Sequence, residues 1–277
     1  MNNVKIGKKK KKWILYVLMG FFATCAVGFS IGLGLEMHTN MQARSYYENL
    51  AADIERRPGT PGSPVVAQLQ ENTVREAEPG DGLPVAEESE WTPFMDFDAL
   101  AGRFPGIVGW IILEGTKIDY PIMQWTNNHH FLGTLPDGTS HRNGSIFLDY
   151  RNSPDFTDRS IVIYGHESRT EDMFGALKNF RRQEFFEAHP VMYIFTPDRD
   201  YKLMLFAGYL VDAGVETPPL RFDDDSDFEG HIADIKRRSL FRSDVEVTVD
   251  DKIVSLATCA YDFVNARFVI VGTLVEY

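Results

Sequence analysis

The hydrophobic pattern divides the chain into an apolar run, a polar middle and a body of short apolar stretches. Residues 13–35 carry no charge over 23 positions, and a helix of that length can cross a bilayer core of about 30 Å. The pattern of residues 36–91 predicts a stalk made of a helix followed by a linker. Apolar positions recur at roughly helical spacing up to residue 57, and prolines, glycines and glutamates then alternate as in a solvated linker.

From residue 92 to residue 277 the pattern predicts one globular domain. Short apolar or alternating runs, separated by glycine, proline, asparagine and aspartate, are typical of strands. They cover residues 108–113, 145–149, 160–164, 191–196, 201–210, 252–258 and 267–275. Many strands and few helices favour a closed β-barrel with helical insertions, which also removes exposed strand edges.

Two segments of the body carry helix-start signals. Thr92 followed by Pro93 predicts a short helix ahead of the first strand. Later, residues 226–229 have the sequence of a capping box, and Ile232 and Ile235 follow at helical spacing. The pattern therefore places one longer helix just before the last two strands.

Charge is distributed unevenly along the chain. The net charge is -12, yet residues 1–12 contain six lysines and no acid. The remainder is strongly acidic, which disfavours nucleic acid as a partner. Lysines at one end of an apolar run predict a cytoplasmic N-terminal tip, a single membrane span at 13–35 and an extracellular body. A cleaved signal peptide is the alternative, although its apolar region is usually shorter.

The chain has two cysteines, and only Cys259 lies outside the apolar run. A lone thiol outside the cell is either buried or used in catalysis. If strands 252–258 and 267–275 form a hairpin, Arg267 lies beside Cys259, where a guanidinium could hold an oxyanion. The alternatives are a buried, inert cysteine and an ordinary surface arginine.

A cysteine nucleophile needs a proton partner. Among seven histidines, His166 stands directly after an apolar strand and Gly165, and a strand end is a rigid support for a catalytic group. A purely structural histidine is the alternative. His129 and His130 are adjacent, but no cysteine or carboxylate spacing around them supports a metal site, and we predict none.

Four segments carry a resemblance to a known family. They are IVGWIILEGTKIDYPIMQ at 107–124, GSIFLDYRN at 144–152, SIVIYGHESRTEDMFGALKNF at 160–180 and SLATCAYDFVNARFVIVGTLVE at 255–276. Together they resemble the class B sortases of Gram-positive bacteria. The resemblance implies a mainly β, closed sortase-type barrel of about eight strands, with N-terminal helices and one helix between the sixth and seventh strands. One departure is Ala257, where family members often have serine.

The resemblance also implies a cysteine transpeptidase that anchors proteins to the cell wall. Cys259 would attack after the threonine of a C-terminal sorting motif of a secreted protein and form a thioester. An amine of peptidoglycan would then resolve that thioester. His166 would transfer protons and Arg267 would stabilise the oxyanion. No metal or organic cofactor is implied.

Three further residues are assigned by similarity to the pocket for the sorting motif. Asn128 and Leu132 lie in the segment NNHHFL, and Thr258 directly precedes the cysteine. Plain packing is the alternative for Leu132.

Other functions are weighed against this one. A pilus-assembling sortase and a non-enzymatic, membrane-tethered β-domain that binds a partner stay open. An L,D-transpeptidase would have a Ser-His-Gly-Cys-x-Arg pattern, which the chain lacks. A papain-like protease would place its cysteine before its histidine, the reverse of the order here.

Overall fold

The computed structural model describes residues 3–54, 95–168, 170–259 and 265–276, and the chain divides into two compact units, Met1–Asn49 and Leu50–Tyr277. Helix α1 covers Asn3–Asp53 without interruption. No proline occurs before position 58 to break it. Within α1, Tyr16–Asp53 is long and apolar enough to be a candidate membrane span, with a mean hydropathy of 1.9. The predicted linker and the domain boundary at 91 lie outside the described residues.

The second unit is a closed, mainly β barrel. Its strands are β1 (Ile107–Ile112), β2 (Asp119–Met123), β3 (Ile146–Leu148), β4 (Ser160–Gly165), β5 (Val191–Phe195), β6 (Asp200–Asp212), β7 (Ile253–Cys259) and β8 (Ala266–Glu276). Its helices are α2 (Phe97–Arg103), α3 (Gln183–Ala188) and α4 (Asp225–Arg238), with 3-10 segments at His130–Leu132 and Gly175–Arg181. The strand order is β1-β2-β3-β4-β7-β8-β6-β5. The predicted closed barrel is confirmed, and α4 lies between the sixth and seventh strands as expected.

The last two strands form the hairpin that the sequence predicts. β7 pairs antiparallel with β8 from Ile253 to Cys259 and parallel with β4 on its other side. β8 in turn pairs with β6 over its whole length. This hairpin therefore fills the gap between β4 and β6 and closes the barrel.

The sequence pattern missed strand β2. Pro121 lies in its middle and lacks the N–H that a ladder needs, so the run did not have the composition of a strand. In the barrel Pro121 is in register with Trp110 of β1, while β3 pairs only with Ile122 and Met123. The proline is tolerated because β3 begins beyond it.

Both predicted helix starts need revision. Asp96 caps α2, and its side chain accepts a hydrogen bond from Ala99 N; Thr92 and Pro93 lie outside the described residues. The predicted capping box at 226–229 is wrong, because Asp224 is the N-cap of α4 and accepts from Asp227 N. An aspartate two residues earlier provides the cap, so the helix begins two residues earlier than the predicted box implies.

Helix α4 covers one outer face of the barrel. Its buried residues Phe228, Ile232 and Ile235 form a cluster with side chains of β6, β7 and β8 that includes Ala257 and Val269. Burial of this apolar stripe holds the helix against the three strands and fixes them laterally. Two of these strands, β7 and β8, carry the candidate site residues Cys259 and Arg267.

Candidate active site

Strands β4 and β7 end, and β8 begins, at one edge of the barrel. A predicted catalytic residue lies at or next to each of these three strand termini. His166 follows Gly165, which is in parallel register with Thr258 of β7. The next residue, Cys259, is in register with Arg267 of β8. Since neighbouring strands lie about 4.8 Å apart, the backbones of His166, Cys259 and Arg267 are side by side. The thiol of Cys259 itself lies outside the part of the chain that the structure describes.

The ring of His166 is partly exposed and is held by a main-chain oxygen. Its Nε2 lies 2.8 Å from the carbonyl oxygen of Leu132. A carbonyl can only accept, so Nε2 carries a hydrogen and donates it. In the neutral ring the free lone pair is then on Nδ1, and Nδ1 is the nitrogen that can exchange a proton with a substrate.

The end of β4, directly before His166, is tightly packed against its neighbours. A Cβ on Gly165 would lie 2.4 Å from Ile146 Cδ1 and 2.6 Å from Phe174 Cδ2. Beyond the ring, the carbonyl of His166 accepts a hydrogen bond from Phe174 N at 3.0 Å. Glycine therefore lets β4 pack closely against its neighbours immediately before the catalytic candidate.

Arg267 begins the pairing of β8 and is partly exposed. Its Nη1 donates to Ala266 O at 3.2 Å, and it forms no ion pair with a carboxylate among the described residues. Its positive charge also acts on the Tyr164 hydroxyl, where it partly offsets the burial that raises that pKa. The guanidinium is thus able to donate to an oxyanion.

Two of the predicted pocket residues lie in one loop that reaches His166. Leu132 is 44% exposed, and its carbonyl is the partner of the histidine. Asn128 donates from Nδ2 to Asp149 Oδ2 at 2.9 Å and accepts from Tyr150 N at 3.0 Å. The loop is therefore tied to the strand edge at both positions.

Comparison with known proteins identifies the family. No protein-family model matches the chain. Sortase B of Staphylococcus aureus is 33% identical over 182 residues, which cover 65% of this chain and 75% of that protein. Sortase B of Listeria monocytogenes is 34% identical over 171 residues, covering 61% and 70%. The chain belongs to the class B sortases.

Solved structures agree with this assignment. A structure of the S. aureus sortase B–substrate complex matches with a TM-score of 0.62 at 32% identity, covering 65% of this chain and 84% of that one. A crystal structure of S. aureus sortase B alone gives 0.63 at 33% identity, covering 65% and 87%. This sortase is accordingly a cysteine transpeptidase with the closed barrel of its family.

The third predicted pocket residue, Thr258, is placed differently from the other two. Its side chain is 2% exposed, and its Oγ1 has no hydrogen-bond partner within the described ranges. Its contact with a sorting motif stays a prediction. An unpaired buried hydroxyl is costly, and this one lies directly before the cysteine.

Sequence reasoning missed a buried carboxylate beneath the loop. Asp149 is fully buried and directly follows β3, and Arg151 binds it with both Nε (2.9 Å) and Nη2 (2.8 Å). Tyr164 of β4 donates its hydroxyl to the same carboxylate at 3.2 Å. Burial acts to raise the pKa of Asp149, but the hydrogen bonds from Arg151 and Asn128 outweigh it and lower the pKa. The sequence did contain a signal for this carboxylate. Asp149 directly follows an apolar strand and lies two residues before Arg151.

One of the paired histidines of the loop has a packing role in the structure. The ring of His130 stacks on Trp125 with centroids 4.8 Å apart. Within the described residues no group of three or more histidine, cysteine, aspartate or glutamate side chains could hold a metal ion.

Proposed function

We propose that this sortase joins secreted proteins covalently to the cell wall. It would cleave a C-terminal sorting motif after threonine, hold the acyl group as a thioester on Cys259 and pass it to an amine of peptidoglycan. The observation that carries the proposal is the strand register that brings His166, Cys259 and Arg267 together. The L,D-transpeptidase, the papain-like protease and the non-enzymatic binding domain do not account for all three positions in that order.

In the first half-reaction the sulfur of Cys259 attacks the threonine carbonyl. The thiol proton passes to His166, a C–S bond forms and the carbonyl oxygen becomes an oxyanion. Arg267 donates hydrogen bonds to this oxyanion, where charge develops. The C–N bond then breaks, and His166 returns the proton to the leaving amine.

In the second half-reaction the incoming amine attacks the thioester. The amine loses a proton to His166, the new C–N bond forms and the thiolate of Cys259 leaves. The contact between Nε2 and Leu132 O favours Nδ1 as the site of these transfers.

The sorting motif would bind against the loop that holds Asn128 and Leu132. Leu132 offers an exposed apolar side chain beside the histidine, and Asn128 offers an amide hydrogen. Thr258 would contribute from beneath, next to the nucleophile. The S. aureus relative has been solved as a substrate complex, so a peptide-binding surface is within the repertoire of the fold.

The topology follows from the N-terminal segment. Residues 13–35 would cross the membrane with the lysine-rich tip of residues 1–12 in the cytoplasm. The catalytic domain, from about residue 92, would then stand outside the cell at the end of the stalk. In that position both secreted proteins and peptidoglycan are accessible to it.

The test uses the full chain in nanodiscs and a pool of peptides with Pro-x-Thr-Gly-like motifs. We expect an acyl adduct on Cys259 by intact mass, and its loss when a peptidoglycan-type amine is added. Cys259→Ala should give no adduct. His166→Ala and Arg267→Ala should lose activity while they retain the far-UV spectrum of the folded chain.

Each alternative has its own outcome. An adduct that is resolved only by a lysine side chain of a second protein would favour pilus assembly. A folded chain that forms no adduct, and whose Cys259 reacts slowly with iodoacetamide, would replace the enzyme with a binding domain. Wild-type activity in His166→Ala or Arg267→Ala would remove that residue from the mechanism.

A further inference from the structure

A fully buried carboxylate joins three separate segments next to the candidate site. Asp149 directly follows β3, and it is 0% exposed. It accepts from Asn128 Nδ2, in the loop that also holds Leu132, and from the Tyr164 hydroxyl on β4. Both partners belong to segments that reach His166, one through the carbonyl of Leu132 and the other along the strand.

The carboxylate sets the orientation of the Asn128 amide. Asn128 Oδ1 already accepts from Tyr150 N at 3.0 Å, and Nδ2 donates to Asp149 Oδ2 at 2.9 Å. With the oxygen engaged by a main-chain N–H, the amide has its second Nδ2 hydrogen left for another partner. Asn128 therefore presents a donor, and the peptide group that it suits is a carbonyl oxygen.

The same carboxylate is anchored firmly enough to act as a reference point. Arg151 binds both of its oxygens through Nε and Nη2, and the main-chain N–H of Arg151 adds a bond at 3.0 Å. The main chain of Asp149 is held as well, since its N–H donates to Val162 O at 2.8 Å and its carbonyl accepts from Gln124 Nε2. Backbone and side chain of Asp149 are thus both fixed.

A buried carboxylate adds little net stability, because the free energy lost on its desolvation offsets much of the favourable interaction with its partners. Arg151, whose side chain is 53% exposed, would be well solvated without it. The partners that gain definite positions are Asn128 and Tyr164. This selectivity favours a role in the geometry of the site.

We propose that Asp149 is a positioning residue for peptide recognition, which fixes the Asn128 amide as a donor for a carbonyl of the sorting motif and joins its loop to the strand of His166. The inference rests on the proposed function and extends it to a residue that does not touch the reacting atoms. It assigns Asp149 to binding of the peptide and leaves proton transfer to His166.

The experiment compares Asp149→Asn with wild type in the full chain in nanodiscs, both with Cys25→Ala so that Cys259 is the single thiol. Asparagine keeps the shape of the side chain. Its amide nitrogen cannot accept, however, and it would face groups that are themselves hydrogen-bond donors. Rates of Cys259 acylation are measured against the concentration of the best peptide from the pool. We expect the concentration for half-maximal rate to rise about tenfold, as for the loss of one charge-assisted hydrogen bond.

Two further readouts distinguish positioning from a general structural role. Alkylation of Cys259 by iodoacetamide needs no peptide, and its rate should be the same in both chains. Asp137→Asn is the control for the same substitution elsewhere, since Asp137 accepts from Thr139 N in an exposed turn, and it should acylate as wild type does. Asn128→Ala should raise the half-maximal concentration to a similar extent, and Asp149→Asn should add little on top of it.

The outcomes separate this inference from the proposed function. If wild type forms no adduct at all, the proposed function fails before the variants are compared. If wild type acylates and Asp149→Asn shows the same concentration dependence, the positioning role is overturned. A fall in alkylation and acylation together, or full additivity of the two substitutions, would also overturn it. Should Asp149→Asn fail to fold, Asn128→Ala with unchanged half-saturation would refute the inference on its own.

Discussion

One buried carboxylate, Asp149, precedes His166 in the chain and another, Asp172, follows it, and the groups that bind them differ. Asp149 is reached by donors from a distant loop, from its own turn and from β4. Asp172 lies in the loop that follows the histidine, and it accepts from Lys117 Nζ at 3.0 Å and from Thr170 of the same loop. Asp149 connects the loop of Asn128 and Leu132, the proposed peptide side of the site, to β4, and Asp172 joins the loop after the histidine to Lys117, which lies between β1 and β2.

The loop around Asp172 has a strained backbone that these contacts hold in place. Glu171 and Met173 have positive φ values of 63° and 55°, which are unfavourable for residues with a side chain. Lys117 also donates to Thr170 O, and the Tyr120 hydroxyl accepts from Met173 N. Under the proposal that Asp149 positions the peptide-binding loop, peptide recognition belongs to the Asp149 side, whereas the Asp172 side supports the backbone of the histidine through Phe174 N and His166 O.

The largest effect on stability and acylation is expected at the contact between the Leu132 carbonyl and the His166 ring. Gly144 has φ +54°, and a Cβ there would lie 2.2 Å from Phe131 O and 2.7 Å from Leu132 O. Gly144→Ala should displace the Leu132 carbonyl, lower the free energy of unfolding by about 2 kcal/mol or more and slow acylation. Nitrogen-15 NMR of the His166 ring should show that the hydrogen on Nε2 loses its partner.

Gly133→Ala is the matched control for Gly144→Ala. Gly133 follows Leu132 directly, yet a Cβ there meets nothing within 4 Å. The control should keep the wild-type ring spectrum and acylation rate. If the neutral ring of His166 in the unsubstituted chain carries its hydrogen on Nδ1, the contact with Leu132 O is not what sets the tautomer.

A smaller effect is expected on the other side of the histidine. Lys117→Met leaves the Asp172 carboxylate, whose side chain is 7% exposed, without its cation. We expect a loss of about 2 kcal/mol of stability and slower acylation at an unchanged half-saturating peptide concentration. Thermal melts and the concentration dependence of acylation measure both. Arg199→Met, which breaks the exposed ion pair with Glu276, should change neither; a rise in half-saturation for Lys117→Met would contradict the division between the sides.

Acid should distinguish Asp149 from its asparagine variant. The folded-state pKa of Asp149 lies below the ordinary value of 3.8, so its stabilising effect is complete above 3.8 and is lost as the pH falls through the lower, folded value. We expect Asp149→Asn to be less stable by about 1–2 kcal/mol at neutral pH, with the gap in melting temperature closing in strong acid. A gap that stays constant down to the acid limit would show that the ionised form gives no special stability.

The smallest effect is expected at the longest contact to Asp149. The Tyr164 hydroxyl is 3.2 Å from the carboxylate, and burial raises its pKa, so that it remains a protonated donor. Tyr164→Phe should cost about 0.5–1 kcal/mol and raise the half-saturating peptide concentration about two- to fourfold. Tyr209→Phe removes a buried hydroxyl that has no partner in the described part of the chain, and should leave acylation as it is.

Local sequence signals were sufficient for part of the site. The hairpin that sets Cys259 against Arg267 follows from two apolar runs and the short segment between them, and the structure has that pairing. The order of strands was not accessible in the same way. β4 and β7 are parallel neighbours far apart in sequence, and no periodicity within either strand indicates its partner.

Side-chain networks were the least predictable feature. Asn128 and Asp149 are separated by 21 positions, and Lys117 and Asp172 by 55, so their pairing depends on the finished fold. Strand β2 was missed because Pro121 is unfavourable in a ladder, and its tolerance depends on where β3 begins. The cap of α4 was misplaced because Asp224 and Ser226 are both suitable N-cap residues, and the local sequence does not decide between them.

The closing hairpin also determines when reactivity can arise. β7 and β8 are the last strands in sequence, yet they insert between β4 and β6. Contacts between such distant segments form slowly, since a long loop must be closed before they return any energy. His166 thus has neither Cys259 nor Arg267 beside it until the barrel closes. A partly folded chain therefore has an incomplete site, and under the proposed function it would be unable to acylate Cys259 until β7 and β8 are in place.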